Sequence, residues 1–178
     1  YITNPSSGKM GYAVACAARD RGADVTLISG PCQLQVPEGI DFMSCRKAYE
    51  MNELVRRKFP DCDILVMSAA VGDFAPKQIK KEKIQKKDSS SFILKLVPTE
   101  DILQNVLKWK TKQFVIGFAA ESENLTQSAL EKLRNKKLDL IVANDISAPG
   151  IGFQSDSNQV TLISKKEEIE NLPLLSKE

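Results

Sequence analysis

Apolar positions recur along the chain with two different periods, and each change of period marks the end of one element. Met10, Ala13, Val14 and Ala17 stand at i, i+3, i+4 and i+7, the stripe of an amphipathic helix, and Gly22 supplies its stop. A helix is predicted over residues 9–21. "ADVTLISG" (23–30) is a continuous β-branched and apolar run closed by glycine and proline, which predicts a buried strand. Residues 39–43 predict a short strand, and Ala48, Met51, Leu54 and Val55 a second helix that ends before Pro60. Further buried strands are predicted over "DILVMSAAV" (63–71), "FVIGFAA" (114–120) and "LDLIVAND" (138–145). Leu125, Ala129, Leu130 and Leu133 mark a third core helix between the last two. From Val160 the chain reads as an edge strand followed by a Lys- and Glu-rich tail with no partner helix. Wholly apolar strands alternating with amphipathic helices predict the α/β class. The expected architecture is a doubly wound, mainly parallel sheet with helices on both faces, Rossmann-like, in one domain over residues 1–178.

One segment breaks this alternation. "PKQIKKEKIQKKDSSS" (76–91) carries six lysines against Glu82 and Asp88, with no core-facing period beyond Ile79 and Ile84. A basic loop of this length in a compact domain is either disordered or functional, for example a lid; a solvated loop without a role is the alternative.

Composition adds mainly exclusions. With 178 residues, 42% of them hydrophobic, the chain can bury roughly 70% of its unfolded surface without staples. A net charge of +2 carries no footprint for nucleic acid or a membrane surface. No apolar run approaches the ~18–20 residues that span a bilayer, and the first residues form no secretion signal, so a soluble, cytoplasmic protein is expected. There is no histidine, which removes His-dependent catalysis and His metal ligands. Cys16, Cys32, Cys45 and Cys62 are 13 to 17 residues apart with no CxxC pair, and are read as four reduced thiols.

Candidate chemistry begins with "YITNPSSGKMGYAVA" (1–15). The hydroxyl of Ser6 or Ser7 can accept a bond from an orphan first-turn amide. Gly8 permits close approach of a ligand to the backbone, and a helix N-terminus beside Lys9 can hold a phosphate. A plain helix cap fits the same residues. A dinucleotide site is disfavoured: G-x-G-x-x-G is absent, and the second strand ends in Ser29, Gly30 and Pro31 rather than an acidic ribose reader. GxxxxGK[ST] is absent too. Ligands of open α/β sheets bind at the carboxyl ends of strands. Here those ends read "SAAVGDFAP" (68–76), "GFAAESEN" (117–124) and "VANDIS" (142–147). Ala69 and Ala70 let backbone groups approach a flat base or a thin pantetheine-like chain, while Asp73, Glu121, Asn144 and Asp145 offer polar contacts. Lys132 and Lys136 stand at i and i+4, either to grip adjacent phosphates or simply as solvated charges.

Six motifs, in order, carry a family resemblance over nearly the whole chain: "ITNPSSGKMG" (2–11), "AAVGDFAP" (69–76), "EKIQKK" (82–87), "LVPTEDIL" (96–103), "GFAAESEN" (117–124), and "KKLDLIVANDIS" with "GFQSDSNQV" (136–160). Together they resemble the phosphopantothenoylcysteine synthetases of coenzyme A biosynthesis in their bacterial, CTP-using form. The resemblance implies a ligase that joins 4'-phosphopantothenate to the amino group of L-cysteine. The substrate carboxylate attacks the α-phosphate of CTP and releases pyrophosphate; the cysteine amine then displaces CMP from the acyl-cytidylate. It further implies that Asn4 orients this intermediate and that Lys83 sits on a mobile flap, residues 76–91, that closes over it. The implied nucleotide contacts are Asp73, Lys83, Thr99, Glu100, Asp101, Ile102, Phe118, Lys132 and Lys136. Asn4, Ser6, Ser7, Gly8, Ala69 and Ala70 are the implied substrate contacts. A magnesium ion on the triphosphate is expected, with no readable ligand set. The chain departs from the family at Gly72, usually alanine, at Gln85, usually a flap lysine, and at Glu100, often proline.

Family members begin with a strand and a glycine-rich turn and usually end with a further helix, so this chain is expected to lack both. The resemblance also implies a homodimer, formed through a sheet edge near Phe92 to Val97, and in many bacteria fusion to a flavin-dependent phosphopantothenoylcysteine decarboxylase. The competing readings are an NAD(P)-dependent Rossmann oxidoreductase and a non-catalytic nucleotide-binding module.

Overall fold

A computed structural model describes residues 6–79, 82, 93–121, 124–145 and 157–176. The first helix, α1 (Lys9–Asp20), has the predicted extent but a rotated face. Its buried residues are Tyr12 and Ala15, whereas Ala17 is exposed. The segment is apolar or small almost all round, so spacing alone leaves its orientation open; the Tyr12 hydroxyl, which accepts a hydrogen bond from Cys32 Sγ at 3.2 Å, fixes it.

Strands β1 (Thr26–Ser29) and β2 (Asp41–Ser44) pair in parallel, Thr26 opposite Asp41 and Ser29 opposite Ser44. Helix α2 (Ala48–Lys58) follows and ends before Pro60, as predicted; a 3-10 turn at Phe59–Asp61 takes up the proline. Next come β3 (Ile64–Met67), β4 (Phe74–Pro76), β5 (Leu96–Pro98), α3 (Ile102–Leu107), β6 (Phe114–Glu121), α4 (Leu125–Asn135) and β7 (Leu140–Asp145). The chain closes with β8 (Ser157–Asn158), β9 (Val160–Ser164), β10 (Ile169–Asn171) and β11 (Leu175–Ser176).

The central sheet has the order β10-β9-β7-β6-β3. Its heart, β3-β6-β7, is parallel, and β9 and β10 add to it antiparallel. The expected α/β class therefore holds, with three corrections. The stretch from Val160 is an inner strand, because the tail returns as β10 and covers it; Ile163 is wholly buried as a result. The β1-β2 pair forms a sheet of its own. Leu96 and Val97 pair with Pro76 and Ala75 in a two-stranded ribbon, so this segment is no edge of the central sheet.

Helix α4 packs across β6, β7 and β9. Its Ala129 and Leu133 join Val115, Ala119, Ile141, Ala143 and Ile163 in one core that also takes Met51, Val55 and Phe59 from the α2 side. The odd-numbered positions of β6 and β7 supply these buried residues, as a period of two demands when one face meets the helices. Gly117 belongs to that face because Leu138 fills its space: a Cβ there would lie 2.6 Å from Leu138 Cδ1. At the amino ends of the strands, Asp139 accepts from the Val115 amide and from the Lys110 ammonium. All four cysteines are free, and Cys45 is buried. No helix among the described residues is long and apolar enough to cross a membrane.

Candidate functional site

The site is built where α1 begins and the parallel strands end. Gly8 is the cap residue of α1, with φ of 78°, a left-handed conformation that favours glycine. No side chain caps through Gly8 itself; instead the Ser7 hydroxyl accepts from the Lys9 amide at 3.4 Å, while Ser6 is exposed. The expected serine cap is thus realised weakly and by Ser7. Cys32 and Leu34 line the other side of Gly8. Gly11 brings the first turn against the end of β3: a Cβ there would meet Ser68 Oγ at 2.9 Å. The helix start is thereby held beside the loop that carries Ala69, exposed, and Ala70, half-buried.

Two hydrogen bonds tie this loop to the segment after β5. Thr99 Oγ1 donates to the Gly72 carbonyl at 2.6 Å, and the Thr99 amide donates to the Asp73 carbonyl at 2.8 Å. The Asp73 side chain is exposed at the mouth of this arrangement. Two residues on, Asp101 caps α3 by accepting from the Gln104 amide at 3.1 Å. Its other oxygen receives the Lys136 ammonium at 2.8 Å. Burial alone would raise the Asp101 pKa, but the Lys136 ammonium and the Gln104 amide outweigh it and hold the carboxyl below its ordinary value.

Lys132, one turn before Lys136 on α4, donates to the Phe118 carbonyl at 2.7 Å. Both lysines are engaged with the protein: Lys136 with Asp101, and Lys132 with the Phe118 carbonyl midway along β6. Ile102 is buried in the core, 4% exposed, so its side chain is a packing group and its part in any ligand contact is confined to the backbone. Glu100 turns away, accepting from Asn52 on α2 at 2.7 Å and from Asn105 on α3 at 3.1 Å. At the end of β7, the side-chain oxygen of Asn144 is buried without a hydrogen-bond partner, an acceptor that a ligand donor can satisfy. Asn4 and Lys83 lie outside the described residues, as does most of the segment 76–91.

Spacing had missed the clamp of Thr99 on Gly72, the pairing of Lys136 with Asp101 and the burial of Asn52. The first two join residues 27 and 35 positions apart, beyond the reach of local periodicity. A signal for α3 was available in Asp101 followed three residues later by Gln104, a cap with its first-turn partner.

Among the described residues no group of three or more Cys, Asp or Glu side chains is placed to hold a metal ion. The described part of the site thus offers no protein cage for a cation.

An open α/β sheet with a helix N-terminus and a polar loop at the carboxyl ends of its strands, flanked by two lysines of the helix that covers it, is the framework of a nucleotide- or phosphate-binding domain. The chain belongs to a more specific group: a family model described as the DNA/pantothenate metabolism flavoprotein C-terminal domain matches residues 1–178. The coenzyme A biosynthesis bifunctional protein CoaBC of Bacillus subtilis (strain 168) is 44% identical over 178 residues, covering 99% of this chain and 44% of the relative. The chain thus spans less than half the length of that protein. A crystal structure of the C-terminal domain of a CoaBC protein superposes with a TM-score of 0.81 at 38% identity, covering 98% of this chain and 77% of that one. A mutant Cab2 in complex with phosphopantothenate-cysteine shares the fold, with a TM-score of 0.75 at 15% identity, covering 96% of this chain and 73% of that one.

Proposed function

We propose that this chain is the ligase part of a coenzyme A biosynthesis enzyme, joining 4'-phosphopantothenate to L-cysteine through an acyl-cytidylate formed from CTP. The observation that carries the reading is the convergence of five of the six motif segments, all but 82–87, on one connected cluster. The start of α1 abuts Ser68, Thr99 is bonded to Gly72 and Asp73, Asp101 to Lys136, and Lys132 to Phe118. A carboxylate and a triphosphate that must react repel one another, so the site has to supply positive charge and directed N–H groups. Lys132, Lys136, Lys9 and the start of α1 are groups of that kind. The Asp101 carboxylate holds Lys136 in place until a phosphate competes for it. The nucleophiles come from the substrates, so a site without histidine is sufficient.

In this reading Asn4 orients the intermediate, Lys83 closes over it from the flap, and magnesium travels with the triphosphate oxygens. The chain adjoins a flavin-dependent decarboxylase in the longer protein, a reading that the bifunctional naming of the relatives supports, and it works as a homodimer.

The test is pyrophosphate release from CTP and from ATP, with and without 4'-phosphopantothenate and cysteine. Release that requires phosphopantothenate and favours CTP is the expected result. CTP binding without release would make the domain a non-catalytic nucleotide module, and release indifferent to phosphopantothenate would refute the ligase.

A further inference from the structure

Helix α2 carries an amide where its apolar stripe runs. Asn52 stands beside Met51 and one turn from Val55, and is 6% exposed against 7% and 4% for these neighbours. A buried amide is tolerated when it is hydrogen-bonded, and Asn52 has a charged partner: its Nδ2 donates to Glu100 Oε2 at 2.7 Å. Asn105 Nδ2 donates to the same oxygen at 3.1 Å and lies 3.5 Å from Asn52 Oδ1. Lys108 Nζ in turn reaches Asn105 Oδ1 at 3.3 Å. Side chains from two helices thus close on one exposed carboxylate, which lines a cleft of about 250 Å³ together with Glu53, Arg56 and Trp109.

Glu100 is flanked by the two residues that face the strand ends. Thr99 grips the 72–73 backbone, and Asp101 receives Lys136. The carboxylate is therefore an anchor behind the turn, and Thr99 and Asp101 are what the anchored turn presents. A proline at this position would restrict the turn through its ring but could not bind α2 and α3.

We propose that Asn52, with Asn105, is a positioning residue: the two amides clamp Glu100, fix the 99–102 turn, and so set the affinity of the site for its nucleotide. The last step rests on the nucleotide reading above; the clamp itself does not.

The test compares Asn52→Leu, Glu100→Ala and the double variant in the full-length protein. It follows amide hydrogen exchange at Thr99 and Gln104 together with KM for CTP and kcat. The expected result for each single variant is exchange at those two amides faster by about tenfold or more, with core amides of β6 and β7 unchanged. For Asn52→Leu, KM for CTP rises by about five- to tenfold while kcat stays within about twofold. The double variant is no worse than the worse single, because both act through one contact. Unchanged exchange at Thr99 overturns the clamp, as do faster exchange throughout the core and additive effects in the double. Faster exchange with an unchanged KM overturns the positioning role. If Asn52→Leu does not fold, Asn105→Ala, at a half-buried position, tests the other arm with the same readouts. A wild-type protein that releases no pyrophosphate sinks the ligase reading, and the exchange rates still decide the clamp.

Discussion

Replacing Gly117 by alanine tests whether the core behind the site is packed as tightly as its geometry states. The new Cβ would lie 2.6 Å from Leu138 Cδ1 and 3.7 Å from its Cγ and Cδ2. Carbon atoms in favourable contact stand about 3.5–4.0 Å apart, so the Leu138 methyl must retreat by about 1 Å. Leu138 is 1% exposed, so its methyl cannot swing into solvent and must repack within the core. Overpacking of this kind costs about 1–3 kcal/mol. Alanine recovers up to about 1 kcal/mol from the lower entropy of the unfolded chain. Taking the middle of each range, about 2 and about 0.7 kcal/mol, the net loss is about 1.3 kcal/mol, or a fall of roughly 3–5 °C in midpoint at about 2–4 °C per kcal/mol for a domain of this size. Urea unfolding should show a lower midpoint at unchanged slope. Leu138→Ala alone removes about 2–5 kcal/mol, and the double variant should lose less than the sum because the new methyl partly fills the vacated space. A Gly117→Ala protein as stable as the wild type, or strict additivity in the double, would refute the packing argument.

Three further outcomes can be checked, two drawn from contacts described above and one from the proposed flap. Asp139 is partly buried, which by itself raises its pKa, but Lys110, the Val115 amide and Lys165 outweigh this desolvation and hold the carboxyl below its ordinary value. A depressed carboxyl contributes stability present above its unfolded pKa of about 3.9 and lost as the pH falls through the folded value. Asp139→Asn should therefore melt lower at pH 7 but lose less stability than the wild type on acidification; parallel curves would refute the charge role. Thr99→Val keeps the shape and removes the 2.6 Å bond to the Gly72 carbonyl. It should cost about 0.5–1.5 kcal/mol in denaturant unfolding, and on the proposed function raise KM for CTP; an unaltered KM would detach this turn from the nucleotide. Lys83→Ala should lower kcat with an unchanged melting temperature, and wild-type turnover would remove the flap role.

The relation between chain and fold is clearest element by element. Helix α4 was legible because Leu125, Ala129, Leu130 and Leu133 form a stripe among polar residues, and all four contribute to the core. The face of α1 was not, because a segment of alanine, valine and cysteine has no polar side; a tyrosine hydroxyl and a cysteine 20 residues away decide it. Helix α3 has six residues, too few for a period to show. The β4-β5 ribbon joins segments separated by the basic stretch, so neither strand carries a local signal of its partner. The site divides in the same way. The motifs mark which segments matter, and they meet at one edge; what each side chain does there was decided elsewhere. The spacing of Lys136 fits a phosphate grip or a solvated charge, and its observed partner is Asp101; Glu100, an implied nucleotide contact, has Asn52 and Asn105 as its observed partners.

By itself the sequence determined the α/β class, the order of its main elements and the absence of histidine chemistry, since period and composition are properties of neighbours along the chain. Only the tertiary structure decided which strand is inner, which face of α1 is buried and which polar group answers which charge. Those outcomes depend on distances between residues far apart in the chain, and no local pattern encodes them.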